Sequence, residues 1–303
     1  MTETVIEVRG LRKSYGDLEA LKGMDLTVRK GEVFCLLGPN GAGKTTAVEI
    51  LEGHRDYDAG EVRVLGYDPQ RHDRELRSRV GIVLQNAGVE RFLTVEEVIE
   101  LFRGYYPHPR PLDEILRIVG LEEKCQSLVR RLSGGQVRRL DMALALAGDP
   151  DLLFLDEPTS GFDPSARRGA WEVIGGLRDL GKTILLTTHY MDEAEHLSDR
   201  LAIIVDGRII SEGTVASLRA QHAATLISFR APAAGLPEAV FGAAHLQNGR
   251  ATIETDEPTR TLHQMTHWAS EAGIELEELR VMPVSLEDIY LGLAGAGSGN
   301  AQE

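Results

Sequence analysis

The chain has 303 residues, which is long for one average domain and short for two large ones, and its 47 acidic against 33 basic residues give a formal net charge of −14. So acidic a chain repels phosphate backbones, and we expect no nucleic-acid partner. The sequence has no apolar run of the roughly eighteen residues that cross a bilayer, and its N-terminus lacks the basic and apolar regions of a signal peptide, which predicts a cytoplasmic protein.

A glycine-rich segment follows an apolar run, Val33–Leu37, that predicts a buried strand. The segment matches G-x-x-x-x-G-K-[ST], and with the residue after it comprises Gly38, Pro39, Asn40, Gly41, Ala42, Gly43, Lys44, Thr45 and Thr46. Glycine backbone lets successive N–H groups surround one phosphate chain, and Lys44 adds a positive charge. The helix predicted from Thr45 to about Glu52 directs its positive end at the same anion, and the Thr45 hydroxyl is placed for Mg²⁺. We therefore expect a nucleoside triphosphate site; the alternative is an incidental glycine-rich turn.

A second apolar run, at 152–155, ends in two carboxylates, Asp156 and Glu157. In a parallel sheet this strand end lies beside the phosphate loop. Asp156 is predicted to hold Mg²⁺, which leaves Glu157 as a general base for the water that attacks the γ-phosphate. The alternative, that the pair caps the next helix, is less favoured because Asp163 and Pro164 already fit the N-cap and the first helical residue.

The segment L-S-G-G-Q, at 132–136, opens a predicted amphipathic helix. Ser133 and Gln136 have the spacing of a capping box, and the inner face carries Leu140 and Leu144. Gly134 and Gly135 each cost the helix about 1 kcal/mol relative to alanine, so helix propensity does not explain them. Because their missing side chains would let a phosphate approach, we expect a second anion-binding helix N-terminus here.

With these motifs in this order, residues 4–220 resemble the ATP-binding subunit of an ATP-binding-cassette (ABC) transporter. The resemblance also includes Gln85 after the predicted strand 80–84, Asp163 in S-G-F-D, and His189 after the predicted strand Thr183–Thr188. It implies that Gln85 contacts Mg²⁺ or the attacking water, that His189 contacts the γ-phosphate, and that Asp163 belongs to the nucleotide-binding set. Taken alone, a glutamine after a strand is more often a polar loop residue, and a histidine at a strand end is more often a capping group.

Tyr15, in K-S-Y-G, matches the aromatic residue that family members stack on adenine. A flat ring accepts any base, so this contact is expected to add affinity more than base selectivity. The alternative is an ordinary strand tyrosine with one edge in water.

The predicted fold is a P-loop α/β core of the ABC type with a mostly parallel sheet, an antiparallel N-terminal β part, a helical insertion and a small C-terminal α+β extension. Residues 1–221 form the predicted ATP-binding domain, with the helical subdomain at about 86–131. The subdomain has helices at 95–102 and 112–119, separated by the proline-rich break at 107–111. Residues 222–294 form the extension, with strands at 225–230, 251–254 and 276–281 and a helix at 259–272. Residues 295–303 are predicted to be disordered.

The resemblance implies a dimer, most simply a homodimer, with ATP between the phosphate loop of one subunit and L-S-G-G-Q of the other. The expected function is Mg²⁺-dependent ATP hydrolysis that powers a separate integral-membrane permease from the inner face of the membrane. A drug-like, antibiotic or lipid-like substrate would be exported. One alternative is a soluble ABC-type ATPase acting on ribosomes or in DNA repair, although such proteins usually carry two cassettes or a long coiled coil. A P-loop kinase or GTPase is the other, and neither needs residues 132–136.

Overall fold

The computed structural model of the protein describes residues 3–83, 90–221, 225–232, 236–237, 244–247 and 249–290. Within these residues the chain forms two compact units, Met1–Thr214 and Val215–Glu303. Gln85, the start of the predicted helical subdomain and the predicted tail at 295–303 lie outside the described residues.

The first unit opens with an antiparallel sheet of long strands. Its strand order is β2-β1-β4, with β1 at Thr4–Tyr15, β2 at Leu18–Arg29 and β4 at Ala59–Val64. Met24, Leu26 and Val28 are buried and alternate with exposed residues, which is the period-two pattern of a strand with one face on the core. The predicted antiparallel N-terminal β part is confirmed.

The central sheet has six strands in the order β5-β6-β7-β3-β8-β9. These strands are β3 (Val33–Leu37), β5 (Val80–Val83), β6 (Leu152–Asp156), β7 (Thr183–Thr188), β8 (Arg200–Val205) and β9 (Arg208–Gly213). All neighbours are parallel except β8 and β9. Because parallel strands end at one edge, Leu37, Asp156 and Thr188 are brought to the same side of the sheet. The prediction of a mostly parallel core is confirmed.

Seven α-helices accompany these sheets in the described part of the first unit. They are α1 (Lys44–Leu51), α2 (Arg74–Arg79), α3 (Val95–Arg103), α4 (Leu112–Val119), α5 (Gly134–Ala145), α6 (Pro164–Asp179) and α7 (Met191–Leu197). The predicted caps form: Ser133 and Gln136 make a capping box at α5, and Asp163 caps α6. Leu140 and Leu144 on the predicted inner face of α5 are buried.

The second unit contains α8 (Val215–Gln221) and a four-stranded antiparallel sheet of order β11-β12-β10-β13. Its strands and its long helix are β10 (Thr225–Arg230), β11 (His245–Gln247), β12 (Arg250–Thr255), α9 (Pro258–Ala272) and β13 (Arg280–Pro283). Ile227, Phe229 and Met265 are among the residues of its own small core. The α+β prediction is confirmed.

The last strand of the second unit differs from its prediction. A strand was expected over 276–281, but β13 begins at Arg280. Glu278 has φ +54°, in the left-handed region, and the Glu277 amide bonds back to the Glu275 carbonyl at 3.1 Å. A left-handed residue inside this turn stops an extended run, so the strand can form only after it.

Candidate active site

The phosphate loop lies between β3 and α1, and its glycines fit tightly against the rest of the unit. A Cβ on Gly38 would lie 2.3 Å from the Ile204 carbonyl oxygen. A Cβ on Gly43 would lie 2.7 Å from the Ala20 carbonyl oxygen, and Gly43 also has φ +103°. Gly41 has open space around it but φ +82°. Each of the three positions therefore needs glycine, either for room or for backbone conformation.

Lys44 is the first residue of α1, and its ammonium group is turned back into the loop. Nζ donates to the Gly38 carbonyl at 2.7 Å and to the Pro39 carbonyl at 3.1 Å. The side chain is only 5% exposed. A buried ammonium held by loop carbonyls places its positive charge at the centre of the cradle, where an anion would sit.

Two of the predicted Mg²⁺ ligands, Thr45 and Asp156, lie side by side although they are far apart in sequence. Thr45 Oγ1 lies 3.4 Å from Asp156 Oδ2. Asp156 pairs with Thr187 in the register of β6 and β7, and the Thr187 hydroxyl donates to Asp156 Oδ1. The parallel sheet thus brings the end of β6 next to the start of α1, and Thr187 fixes the carboxylate from the other side.

Glu157 follows β6 in an unusual conformation. Its φ is +45°, in the left-handed region where a side chain other than glycine is strained, typically by about 1–3 kcal/mol. Its amide donates to Thr187, to the carbonyl at 3.2 Å and to the hydroxyl at 3.0 Å. The turn points Glu157 Oε1 at two nitrogens, Lys44 Nζ at 3.4 Å and His189 Nδ1 at 3.3 Å. Strain at this residue therefore coincides with a three-group cluster beside the phosphate loop.

The L-S-G-G-Q segment forms the N-terminus of α5. Ser133 Oγ accepts from the Gln136 amide at 3.3 Å, and Gln136 Oε1 accepts from the Ser133 amide at 3.0 Å. A Cβ on Gly134 would meet nothing within 4 Å, and one on Gly135 would touch only Ala166 Cβ, at 3.5 Å. In the described part of the chain, no hydrogen bond or ion pair joins this segment to the phosphate loop.

A groove of about 600 Å³ opens in front of this segment. Asp163 and Phe162 line its other side. Asp163 Oδ1 accepts from the Ser165 and Ala166 amides at 2.8 and 2.9 Å, so its carboxylate already has a role as the N-cap of α6. The structure therefore brings Asp163 together with Ser133, Gly134, Gly135 and Gln136 rather than with the phosphate loop.

Tyr15 ends β1 and is 39% exposed. The Arg55 guanidinium lies 5.2 Å and Lys13 Nζ 5.6 Å from its ring centroid. Both distances are within the range of cation–π contacts. The ring is thus held beside two cations and keeps an exposed surface that a base could cover.

Sequence reasoning missed two residues that organise this site. Thr187 holds Asp156 and the Glu157 amide, and Arg138, on α5, donates to carbonyls at the end of β6 and just after it. Two adjacent threonines at the end of β7, after an apolar middle, were a visible signal for Thr187. Arg138 gave no such signal, because a single arginine on an amphipathic helix normally faces water.

The described residues include no helix long and apolar enough to span a bilayer.

Comparison with known proteins identifies the family. Over 97% of both chains, the sequence is 37% identical to a daunorubicin resistance ATP-binding protein of Streptomyces coeruleorubidus. The chain belongs to the ABC transporter family. The model of that family, described as ABC transporter, matches residues 21–160. A Nod factor export ATP-binding protein I of Rhizobium sp. (strain N33) is also 37% identical, over 97% of this chain and 98% of the relative.

The solved structures agree with this membership. A dimeric ATP-binding cassette in a post-hydrolysis state, bound to ADP and Pi, matches with a TM-score of 0.61 and 27% identity, over 69% of this chain and 98% of that chain. ATP hydrolysis coupled to transport is the general activity of the family and of this ATP-binding subunit. The kinase and GTPase alternatives do not fit. Residues 225–285 match a second model, described as the C-terminal domain of ABC transporter domain-containing protein-like chains.

Proposed function

We propose that this subunit hydrolyses Mg²⁺-bound ATP at two sites shared between two copies of the chain, with Glu157 as the general base. The observation that carries the proposal is the position of Glu157, whose Oε1 lies 3.4 Å from Lys44 Nζ and 3.3 Å from His189 Nδ1. A carboxylate in the phosphate site that is separate from the expected metal ligand is what water activation needs.

The residues present fit ATP and Mg²⁺. A side chain at Gly38 or Gly43 would fill the loop, so the loop is shaped for backbone contact with phosphates. Thr45 Oγ1 and Asp156 Oδ2, 3.4 Å apart, are the oxygen donors that Mg²⁺ prefers. The described residues contain no cluster of three or more Asp, Glu, His or Cys side chains for a metal, so the ion would depend on this pair, on Gln85 and on phosphate oxygens. When bound, Mg²⁺ supplies positive charge that offsets the charge of the phosphates.

The protein groups then have separate tasks. Lys44 neutralises phosphate charge from within the loop, and Asp156 and Thr45 hold the metal. Glu157 would take the proton of the attacking water, and His189, 3.3 Å from Glu157 Oε1, would donate a hydrogen bond to the γ-phosphate. Tyr15 covers the base.

The proposed roles of Glu157 and Lys44 in ATP hydrolysis are tested by comparing Glu157→Gln with Lys44→Ala. The first variant keeps the shape of the side chain but loses proton acceptance, so ATP should still bind while turnover falls by about 10²-fold to 10⁴-fold. The second should lose ATP binding itself, because the charge of Lys44 acts on bound phosphate throughout the reaction. Near wild-type turnover by Glu157→Gln would remove Glu157 from the base role.

The proposal that each ATP site is shared between two copies of the chain is supported by the exposed L-S-G-G-Q segment, whose Gly134 has open space around it. Ser133, the first-turn amides of α5, Gln136 and the neighbouring Asp163 would complete the nucleotide site of the other copy. The dimeric arrangement of the solved cassette with ADP and Pi is consistent with this.

We further propose that a separate permease binds the helical insertion, which places the subunit on the inner face of the membrane. The insertion exposes Phe92, Leu101 and Tyr105, at 70%, 52% and 73%. Leu101 also borders a largely apolar groove of about 740 Å³ between the insertion and the core. Large apolar side chains exposed beside an apolar groove are typical of interaction surfaces. The names of the relatives, daunorubicin resistance and Nod factor export, support export of a drug-like, antibiotic or lipid-like substrate.

Membrane recruitment tests this assignment. Co-expressed with its permease, the wild-type protein should fractionate with membranes, and Leu101→Glu should shift it to the supernatant while sparing ATP binding. Arg117→Glu, at an exposed position of α4, is the matched control. Copurification of the wild type with ribosomes instead would favour the soluble-ATPase alternative.

The C-terminal extension, proposed to begin near residue 222, carries none of the catalytic motifs, and we propose a regulatory or dimer-supporting role for it. The compact units divide earlier, between residues 214 and 215, so that α8 belongs to the second unit. A chain that ends at Gln221 should still bind ATP.

A further inference from the structure

Arg138 lies in the second turn of α5, yet its side chain is only 9% exposed. Its guanidinium donates to three successive carbonyls, those of the last residue of β6 and of the two residues that follow it. Nε donates to the Pro158 oxygen at 3.1 Å, and Nη2 donates to the Asp156 and Glu157 oxygens at 3.4 Å each. Asp141, one turn further along α5, lies 3.6 Å from Nη1 and balances the charge.

These carbonyls belong to the backbone that carries the proposed base. The ladder between β6 and β7 ends at the pair Asp156 and Thr187, so Glu157 and Pro158 lie beyond its last pair. The Glu157 amide is held by Thr187 on one side, and its carbonyl is held by Arg138 on the other. The strained φ of Glu157 is therefore enclosed between two anchors.

We propose that Arg138 is a positioning residue for Glu157: by holding the 156–158 backbone against α5, the helix that begins in the L-S-G-G-Q segment, it keeps the Glu157 carboxylate directed at the reacting water. The proposal rests on the base role of Glu157 given above. Arg138 reaches Asp156 and Glu157 through their backbone oxygens, so we expect it to affect turnover more than ATP affinity.

Arginine suits this task for a geometric reason. Its planar guanidinium carries five N–H donors in a fixed fork and can hold several carbonyls at once. Lysine keeps the positive charge but offers a single nitrogen, which cannot reproduce this arrangement. Displacing a catalytic group by about 1 Å can lower a rate by roughly 10²-fold, so we expect Arg138→Lys to lower kcat by about 10-fold to 100-fold.

The experiment measures kcat, KM and the Kd for ATP of the full-length protein and its variants. Arg138→Lys should lower kcat with Kd unchanged within about two-fold. Arg138→Ala should lose more turnover, and guanidinium ion added at a few tens of millimolar should restore part of it by refilling the vacated space. If Arg138→Ala does not fold, the lysine variant carries the test. Wild-type kcat in a folded Arg138→Lys protein, or a loss confined to Kd, would overturn the proposal.

Arg200 provides the matched control. Its side chain is 14% exposed, and it pairs with Glu32 at 2.9 Å and with Glu212. It begins β8, at the edge of the sheet opposite to the phosphate loop. Arg200→Lys should therefore lower the thermal midpoint without the fall in kcat; a similar fall in kcat would mean that any buried arginine has this effect.

Glu157→Gln separates this proposal from the one on which it depends. If Glu157→Gln turns over normally, the base assignment fails whatever Arg138 does. If Glu157→Gln is inactive, Arg138→Lys should add no further loss in the double variant, because no base remains to be positioned. An equal further loss in the residual rate would show that Arg138 acts on another group.

Discussion

The phosphate loop (38–45) and the L-S-G-G-Q segment (132–136), called the signature below, are both rich in glycine, but their glycines have different surroundings. In the phosphate loop, a Cβ on Gly38 or Gly43 would collide with carbonyl oxygens of the same unit, at 2.3 and 2.7 Å. In the signature, a Cβ on Gly134 would meet nothing within 4 Å. Packing within one subunit therefore explains the first set of glycines and leaves the second unexplained, as expected for a surface that meets something outside the subunit.

Gly38→Ala is expected to have the largest effect. The new methyl group would press on backbone, which cannot move aside as a side chain can, so the loop must distort. Overpacking of this kind costs about 1–3 kcal/mol, and we expect a lower thermal midpoint together with loss of ATP binding. Titration with a fluorescent ATP analogue and thermal unfolding measure both. Gly175→Ala, in α6 with open space around it, is the control and should keep both properties.

Gly134→Ala should separate folding from activity. Alanine at the first position of α5 has room and favours the helix by up to about 1 kcal/mol, so stability should be unchanged or raised. ATP binding by the isolated subunit should also persist. Turnover should fall by about 10-fold to 100-fold, because the methyl group would displace the nucleotide of the other copy. Wild-type turnover in this variant would mean that the open space in front of α5 is not part of a site.

The sequence predicted the elements that are contiguous in the chain. The phosphate loop, the carboxylates at the end of β6 and the caps of α5 and α6 depend on neighbouring residues, and their patterns were readable. The hydrogen bonds of Arg138 to the 156–158 backbone and of Thr187 to Asp156 join segments far apart in sequence. A local pattern can mark a residue such as Thr187 as unusual, but it does not identify the distant partner. The same limit applies to the glycines. Gly38 has no room for a Cβ because of Ile204, which lies 204 − 38 = 166 positions further along the chain, whereas Gly134 has open space.

Mixing two inactive chains tests whether the two segments work in different subunits. Lys44→Ala damages the phosphate loop, and Ser133→Arg places a large charged group in the signature. A mixed dimer has one site with both lesions and one intact site, so random mixing should restore about a quarter of wild-type turnover. The measurement is ATPase rate against mixing ratio, with heterodimers verified by two affinity tags. Verified heterodimers without any activity would contradict the shared site.

Glu52 gives the smallest and most local prediction, on the helix behind the phosphate loop. It follows α1, its side chain is 3% exposed, and burial raises its pKa from 4.5 to about 8, with the negative charges of Asp156 and Glu49 adding to the rise. The folded state therefore binds the proton more tightly than the unfolded state. The stability that this proton contributes is fully present below pH 4.5 and is lost as the pH rises through about 8. In the Glu52→Gln variant this side chain is neutral at every pH. The free energy of unfolding of the wild type should fall by about 2–3 kcal/mol between about pH 6 and pH 8, and the variant should lack this fall. Urea unfolding at each pH measures this free energy, and Glu172→Gln, at an exposed position, is the control. Parallel pH profiles for the wild type and Glu52→Gln would contradict the prediction. They would show that the Glu52 carboxyl is ionised in the folded protein, with His54 Nδ1, 3.2 Å away, as its partner.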